Sequence, residues 1–282
     1  MQLYMQTYMH PNICFGYRMY KRRKITYSRC STLENNIDKA LTHIREFSQK
    51  VRRLIEEISV SQLLEEAGLN PYMIAALNIS SFEDIAELFV YKRVERSLGT
   101  SFGNIIEAFF RDLFGGKSGK EYPQCKEKRK PEHWICWWDI VIDRELERNG
   151  KKYRGVVISV KSGPADINKD IIERFIQHAR EAEKDGYKPY LALTYGKRAF
   201  MVAESTFRSH QLDPREYLLV GRELFKEFLG DPSYYEQIIN AIWESGTGIN
   251  IFDLINAKIK EISTELRIRY GDDINKFLRD IT

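Results

Sequence analysis

Residues 134–161, WICWWDIVIDRELERNGKKYRGVVISVK, alternate in hydrophobicity on either side of an Asn149-Gly150 pair. In the first arm Trp134, Cys136, Trp138, Ile140 and Ile142 share one face. Ile135, Trp137, Asp139 and Val141 share the other, which predicts a strand over 134–142. Asn-Gly supplies the two left-handed residues that a tight hairpin turn needs. In the second arm, Tyr153–Lys161, Val157, Ser159 and Lys161 point one way and Val156, Ile158 and Val160 the other. The hairpin sets one aspartate and one lysine side by side on an otherwise apolar sheet. A hard divalent cation takes carboxylate and carbonyl oxygens, and a neighbouring lysine can orient water or stabilise charge on a phosphate. The same residues also suit a sheet-edge aspartate and a solvated strand end, so the hairpin alone leaves both readings open.

Downstream, Ser162–Asp166 has the composition of a turn, and Asn168–Lys184 reads as a helix burying Ile171, Ile172, Phe175, Ile176 and Ala179. Lys188–Tyr195 is nearly continuous apolar sequence, as expected of an internal strand. A helix between two strands of one sheet is a crossover, so the strand ending at Lys161 and the strand over 188–195 should be parallel neighbours. A shorter strand at Tyr217–Val220 extends the sheet. Helices are expected over 222–230, 232–244, 249–270 and 273–281.

Upstream, a helical pattern starts at Ser31-Thr32 and runs through Ile58, followed by a short helix near Ser61–Ala67 and by Asn70-Pro71-Tyr72. Ser80-Ser81 opens a helix to about Ser97, on which Arg93 and Arg96 either grip DNA or solvate a face. Gly99–Gly103 reads as a connection into a helix over 104–114, where Glu107 flanks the apolar stripe. The loop 115–131 carries Lys117, Lys120, Lys126, Lys128, Arg129 and Lys130 against Glu121 and Glu127, a net +4 that suits a polyanion or plain solvent. The expected organisation is a poorly ordered basic extension (1–30), a helical subdomain (31–98), a core (99–230) and a C-terminal helical region packed on the core (231–282).

The 282 residues have 43% hydrophobic content, which indicates a globular protein, and no apolar run approaches a membrane span. The net charge of +4 is misleading, because Arg18, Lys21, Arg22, Arg23, Lys24 and Arg29 fall in residues 1–30 without an acid. The remainder sums to −2, so contact with nucleic acid must come from local patches. Cys14, Cys30, Cys125 and Cys136 lack CxxC pairing and predict reduced thiols in a cytoplasmic protein. The five histidines show no metal-ligand spacing, and no glycine loop for a nucleotide cofactor is present.

The order of helix with Glu107, hairpin with Asp139 and Ser159-Val160-Lys161, crossover helix and further strand resembles the PD-(D/E)XK nuclease superfamily, and within it the type II restriction endonucleases. The resemblance covers roughly residues 100–200. It implies an α+β fold with a central mixed sheet flanked by helices, to which helical N- and C-terminal additions are attached. It also implies Mg²⁺, double-stranded DNA cut at a short palindromic site, and a homodimer with no membrane association. The family aspartate matches Asp139 and the family lysine Lys161. KSGPADINKD (161–170) and NPY (70–72) look like segments of TdeIII-like enzymes, which cut GGNCC-type sites, and bring in Asn70, Tyr72, Asn168 and Lys169 as DNA contacts. Two positions depart from the pattern: Trp138 stands where proline is common, and Ser159 stands where the second acid is expected. A subgroup of the family with serine there takes its second carboxylate from the following helix. Glu173, 12 residues past Lys161, fits that arrangement first and Glu107 second, with Asp166 and Asp170 as competitors. Metal ligands are then Asp139, the Val160 carbonyl and Glu173. A structure-specific nuclease and a non-catalytic DNA-binding module are the alternatives.

Overall fold

The computed structural model describes residues 27–65, 68–126, 133–197, 202–245 and 250–281. Helices α1 (Tyr27–Glu57), α2 (Val60–Glu65), α3 (Pro71–Ala76), α4 (Phe82–Phe114) and α5 (Pro123–Lys126) come first. Strands β1 (Ile140–Ile142), β2 (Leu146–Arg148), β3 (Lys151–Tyr153) and β4 (Gly155–Lys161) follow. Then come α6 (Lys169–Lys184), β5 (Tyr187–Leu193), α7 (Val202–Ser209), α8 (Pro214–Tyr217) and β6 (Leu218–Val220). Helices α9 (Arg222–Leu229), α10 (Tyr234–Ser245), α11 (Ile251–Tyr270) and α12 (Ile274–Asp280) end the chain. The protein is thus mixed α/β, mostly helical, and contains a mixed sheet. Two compact units are distinguished: residues 1–41 with 109–244, and residues 42–108 with 245–282.

The second unit is helical. Val51, Ile55, Ile85 and Phe89 bury against one another and against Ile262, Leu266 and Phe277, so α11 and α12 belong to this core. The expected C-terminal region 231–282 is therefore divided, with α10 in the first unit and α11 and α12 in the second. The apolar stripe of α11 is complementary to the N-terminal helices, and buried Lys258 donates to the Glu56 carbonyl at 2.9 Å, satisfying an acceptor at the end of α1. The expected break at Gly99–Gly103 does not exist, because α4 continues through both glycines. Each glycine costs about 1 kcal/mol in a helix. That cost is met by packing on the same stretch, where Phe102 meets Phe47 with ring centroids 5.5 Å apart. Helix α1 begins at Tyr27, earlier than the Ser31 start expected, and the remainder of the basic extension lies outside the described residues.

In the first unit the sheet order is β1-β4-β5-β6. β1 pairs antiparallel with β4, β4 and β5 are parallel as the crossover pattern required, and β6 joins β5 in parallel. Asn149 and Gly150 take φ of 51° and 74° and close a separate ribbon, β2–β3, inserted between β1 and β4. Helix α6 covers the sheet face that carries Val141, Val157, Leu191 and Leu193, packing Ile172, Phe175 and Ile176 onto it.

The first arm of the expected hairpin is corrected. Only Ile140–Ile142 is strand, and Trp134–Trp137 forms a 3₁₀ turn capped by His133. The turn wins because the Trp134 indole donates to Asp185 at 2.6 Å and Trp138 packs edge-on against Phe175 at 5.6 Å. Apolar residues pack well in a turn of this kind, where Trp134 and Ile135 are buried and Cys136 and Trp137 half-buried, so period two did not imply extended backbone. The expectation of reduced cysteines is also corrected for one pair. Cys125 on α5 and Cys136 on this turn form a disulfide, their Cα atoms 5.5 Å apart. Among the described residues, no helix is long and apolar enough to cross a membrane.

Candidate active site

The register Ile140↔Ile158 sets Asp139 opposite Ser159, and the Asp139 N–H donates to the Ile158 carbonyl at 3.1 Å. Opposed residues of an antiparallel pair share a face, as do residues two apart on one strand. Asp139, Ser159 and Lys161 therefore sit on the face covered by α6, at the end of β4. The Asp139 carboxylate accepts from the Val160 N–H at 2.8 Å and from the Ser159 hydroxyl at 3.2 Å, both on Oδ2. Burial pushes the Asp139 carboxyl above its ordinary range. Against it act the Lys161 ammonium, then the Val160 N–H, the Ser159 hydroxyl and the Lys120 ammonium. The site thus holds a carboxylate that is costly to ionise and two cations that favour its charged form.

The candidates for a second acid lie on elements other than β1 and β4. Glu173, in the first turns of α6, lies 3.6 Å from the Lys169 ammonium and 4.0 Å from the His210 imidazole. Asp166 accepts from the Gly163 N–H at 3.2 Å and shapes the turn after Lys161, and Asp170 lies in the first turn of α6. Glu107 is on α4 within the helical unit. Among the described residues no three His, Cys, Asp or Glu side chains gather as a group able to hold a metal. The donors that this region offers a hard cation are the Asp139 carboxylate and main-chain oxygens such as the Val160 carbonyl, with Glu173 on the helix that starts beyond the end of β4.

The candidate DNA contacts divide by what they already do. Asn70 and Asn168 cap α3 and α6, accepting from the Tyr72 and Ile171 N–H groups at 2.9 Å each. Lys169 pairs with Glu173. The Tyr72 side chain is 84% exposed. Arg93 and Arg96 lie on α4 and both have interaction partners. Lys117 is exposed, and its main chain bridges to Val141. Lys128, Arg129 and Lys130 lie outside the described residues. Lys120 was one of six basic residues in the loop, with nothing local to single it out. What distinguishes it is the tertiary pairing of its segment with the approach to β1. The Cys125–Cys136 pair was likewise hidden, because it depends on the turn that replaces the expected strand. No protein-family model matches the chain, and no curated protein matches it.

Proposed function

We propose that the chain is a Mg²⁺-dependent DNA endonuclease of the type II restriction kind, built on a PD-(D/E)XK core. One observation carries the reading: on neighbouring strands, Asp139 and Lys161 act on one another at the end of β4, on the face that the crossover helix covers. The donors fit a hard cation, since burial makes the Asp139 carboxylate costly to ionise and a divalent charge offsets that cost. Asp139, the Val160 carbonyl and Glu173 would hold it. When bound, Mg²⁺ supplies Lewis acidity and neutralises charge on the phosphate. Lys161 orients a water for in-line attack on phosphorus, and the water gives up a proton to bulk solvent as its oxygen bonds to phosphorus. The P–O bond opposite the water breaks, and the leaving oxygen takes a proton from solvent. Ser159 and the Val160 N–H fix the orientation of Asp139 through the whole step. Two copies related by a two-fold axis would cut the two strands of a palindromic site.

The test is incubation of plasmid DNA with the protein and Mg²⁺, which should give discrete bands. Lys161→Ala should bind DNA yet lose cutting by on the order of 100-fold. Wild-type cutting by that variant removes Lys161 from the mechanism. Glu173→Gln and Glu107→Gln, run side by side, identify the second acid: whichever cuts fully is not the ligand. A smear, or a preference for branched DNA, would favour a structure-specific nuclease.

A second reading is a non-catalytic DNA-binding module. It is favoured by Ser159, whose hydroxyl donates to Asp139 at the position where the family carries an acid. Binding without cutting under every divalent metal tried would select it.

A further inference from the structure

We infer that Lys120 is a phosphate-binding residue of this site, holding the substrate backbone from the outer edge of β1 while Lys161 acts from β4; the inference rests on the nuclease reading. The segment 116–121 is fastened along the edge of the sheet. The Lys117 N–H donates to the Val141 carbonyl at 2.9 Å, and the Val141 N–H returns a bond to the Lys117 carbonyl at 2.7 Å. The Gly119 N–H donates to the Trp138 carbonyl at 3.0 Å, next to Asp139.

Two glycines allow this approach. A Cβ on Gly119 would stand 1.9 Å from the Ile135 carbonyl oxygen, and one on Gly116 would stand 2.4 Å from Ile140 Cγ2. Lys120 itself is locked by a capping box. The Ser118 hydroxyl accepts the Lys120 N–H at 3.3 Å, and the Glu121 carboxylate accepts the Ser118 N–H at 3.1 Å. The side chain is exposed while its main chain is fixed at both ends.

One carboxylate needs one counter-charge, and Lys161 supplies it. Lys120, one residue past the Gly119 that bonds the Trp138 carbonyl, brings a second ammonium to the same end of β1, which suits a phosphodiester better than a structural ion pair. The charge of Lys120 also reaches Asp139, since it favours the ionised carboxylate there.

The experiment compares wild type, Lys120→Ala and Lys120→Arg for binding of a fluorescent 30-base-pair duplex in Ca²⁺ across a salt series, and for plasmid cutting in Mg²⁺. Lys120→Ala should weaken binding by roughly fivefold or more and lower the slope of log K against log salt by about 1. It should raise KM more than it lowers kcat, and Lys120→Arg should restore both. Thermal melting checks that the exposed substitution leaves the fold intact. If Lys120→Ala binds with the wild-type slope while wild type still cuts and Lys161→Ala does not, this inference fails and the nuclease reading stands. If wild type neither binds nor cuts, both fall together.

Discussion

Asp139 and Asp143 stand at the two ends of β1 and use their carboxylates in opposite ways. Asp143 takes the Tyr122 hydroxyl on one oxygen at 2.5 Å and the Tyr187 hydroxyl on the other at 2.7 Å. Behind Tyr187, Arg154 donates to its hydroxyl at 3.3 Å and lies over its ring at 4.7 Å. Burial, and the Asp143 carboxylate beyond it, push the Tyr122 phenol well above its ordinary range. Each oxygen of Asp143 has its own donor, so the group is used up in holding the segment around Tyr122 to the sheet. Asp139 receives both of its donors on Oδ2 and faces two lysines. A carboxylate with a partner on each oxygen is architecture. One that burial drives toward neutrality, beside surplus cations, is chemistry in waiting.

The comparison breaks most sharply at Asp139. Asp139→Asn should lower plasmid cutting by at least about 100-fold and raise the melting temperature. At pH below the unfolded carboxyl value of about 3.9 the group is protonated in both states and adds no penalty. As pH rises through the raised folded value, the penalty for a buried charge becomes complete, so the gain from asparagine should appear at neutral pH and vanish in acid. A variant that melts lower than wild type at pH 7 would contradict this.

The disulfide comes next in size, because it fastens the segment that serves both aspartates. Replacing Cys125 and Cys136 by serine should cost about 3 kcal/mol in urea unfolding. Cutting should weaken with it, and an unchanged midpoint would show that the disulfide adds no stability. Asp143→Asn should cost about 2 kcal/mol while cutting stays within a few-fold of wild type. A loss of cutting equal to that of Asp139→Asn would erase the distinction between the two ends.

The smallest effect sharpens the contrast with a buried charge of the opposite sign. Lys188 is 2% exposed, lies 3.5 Å from Glu216, and sits 4.5 Å from the Tyr217 ring centroid. Burial holds its pKa below the usual lysine value, although Glu216 opposes the shift. A depressed lysine destabilises the fold fully below its folded pKa, and the penalty fades as pH rises toward the unfolded value. Lys188→Met should therefore gain about 1 kcal/mol at pH 7, and the gain should shrink toward pH 10. A gain that grew with pH would mean that Glu216 and the rings outweigh burial.

Much of this site is legible along the chain. Ser159 and Lys161 share a face because a strand repeats every two residues. The parallel pairing of β4 with β5 follows because a crossover helix separates them. Asn149-Gly150 turns because both residues accept positive φ. The same rule misled at Trp134–Trp137, where the alternating apolar residues form a 3₁₀ turn that buries Trp134 and Ile135. It also failed at Gly99 and Gly103, whose local preference is overridden by packing along α4.

Local periodicity was enough to set β4, β5, the crossover between them and the common face of Ser159 and Lys161, because each depends on residues close in sequence or on a fixed repeat. The tertiary structure alone decided where the segment of Lys120 lies along β1, how Asp139 comes to oppose Ser159, which cysteines meet, and which core claims α11 and α12. Those outcomes depend on surfaces brought together from distant parts of the chain, and on main-chain contacts that no side-chain pattern records.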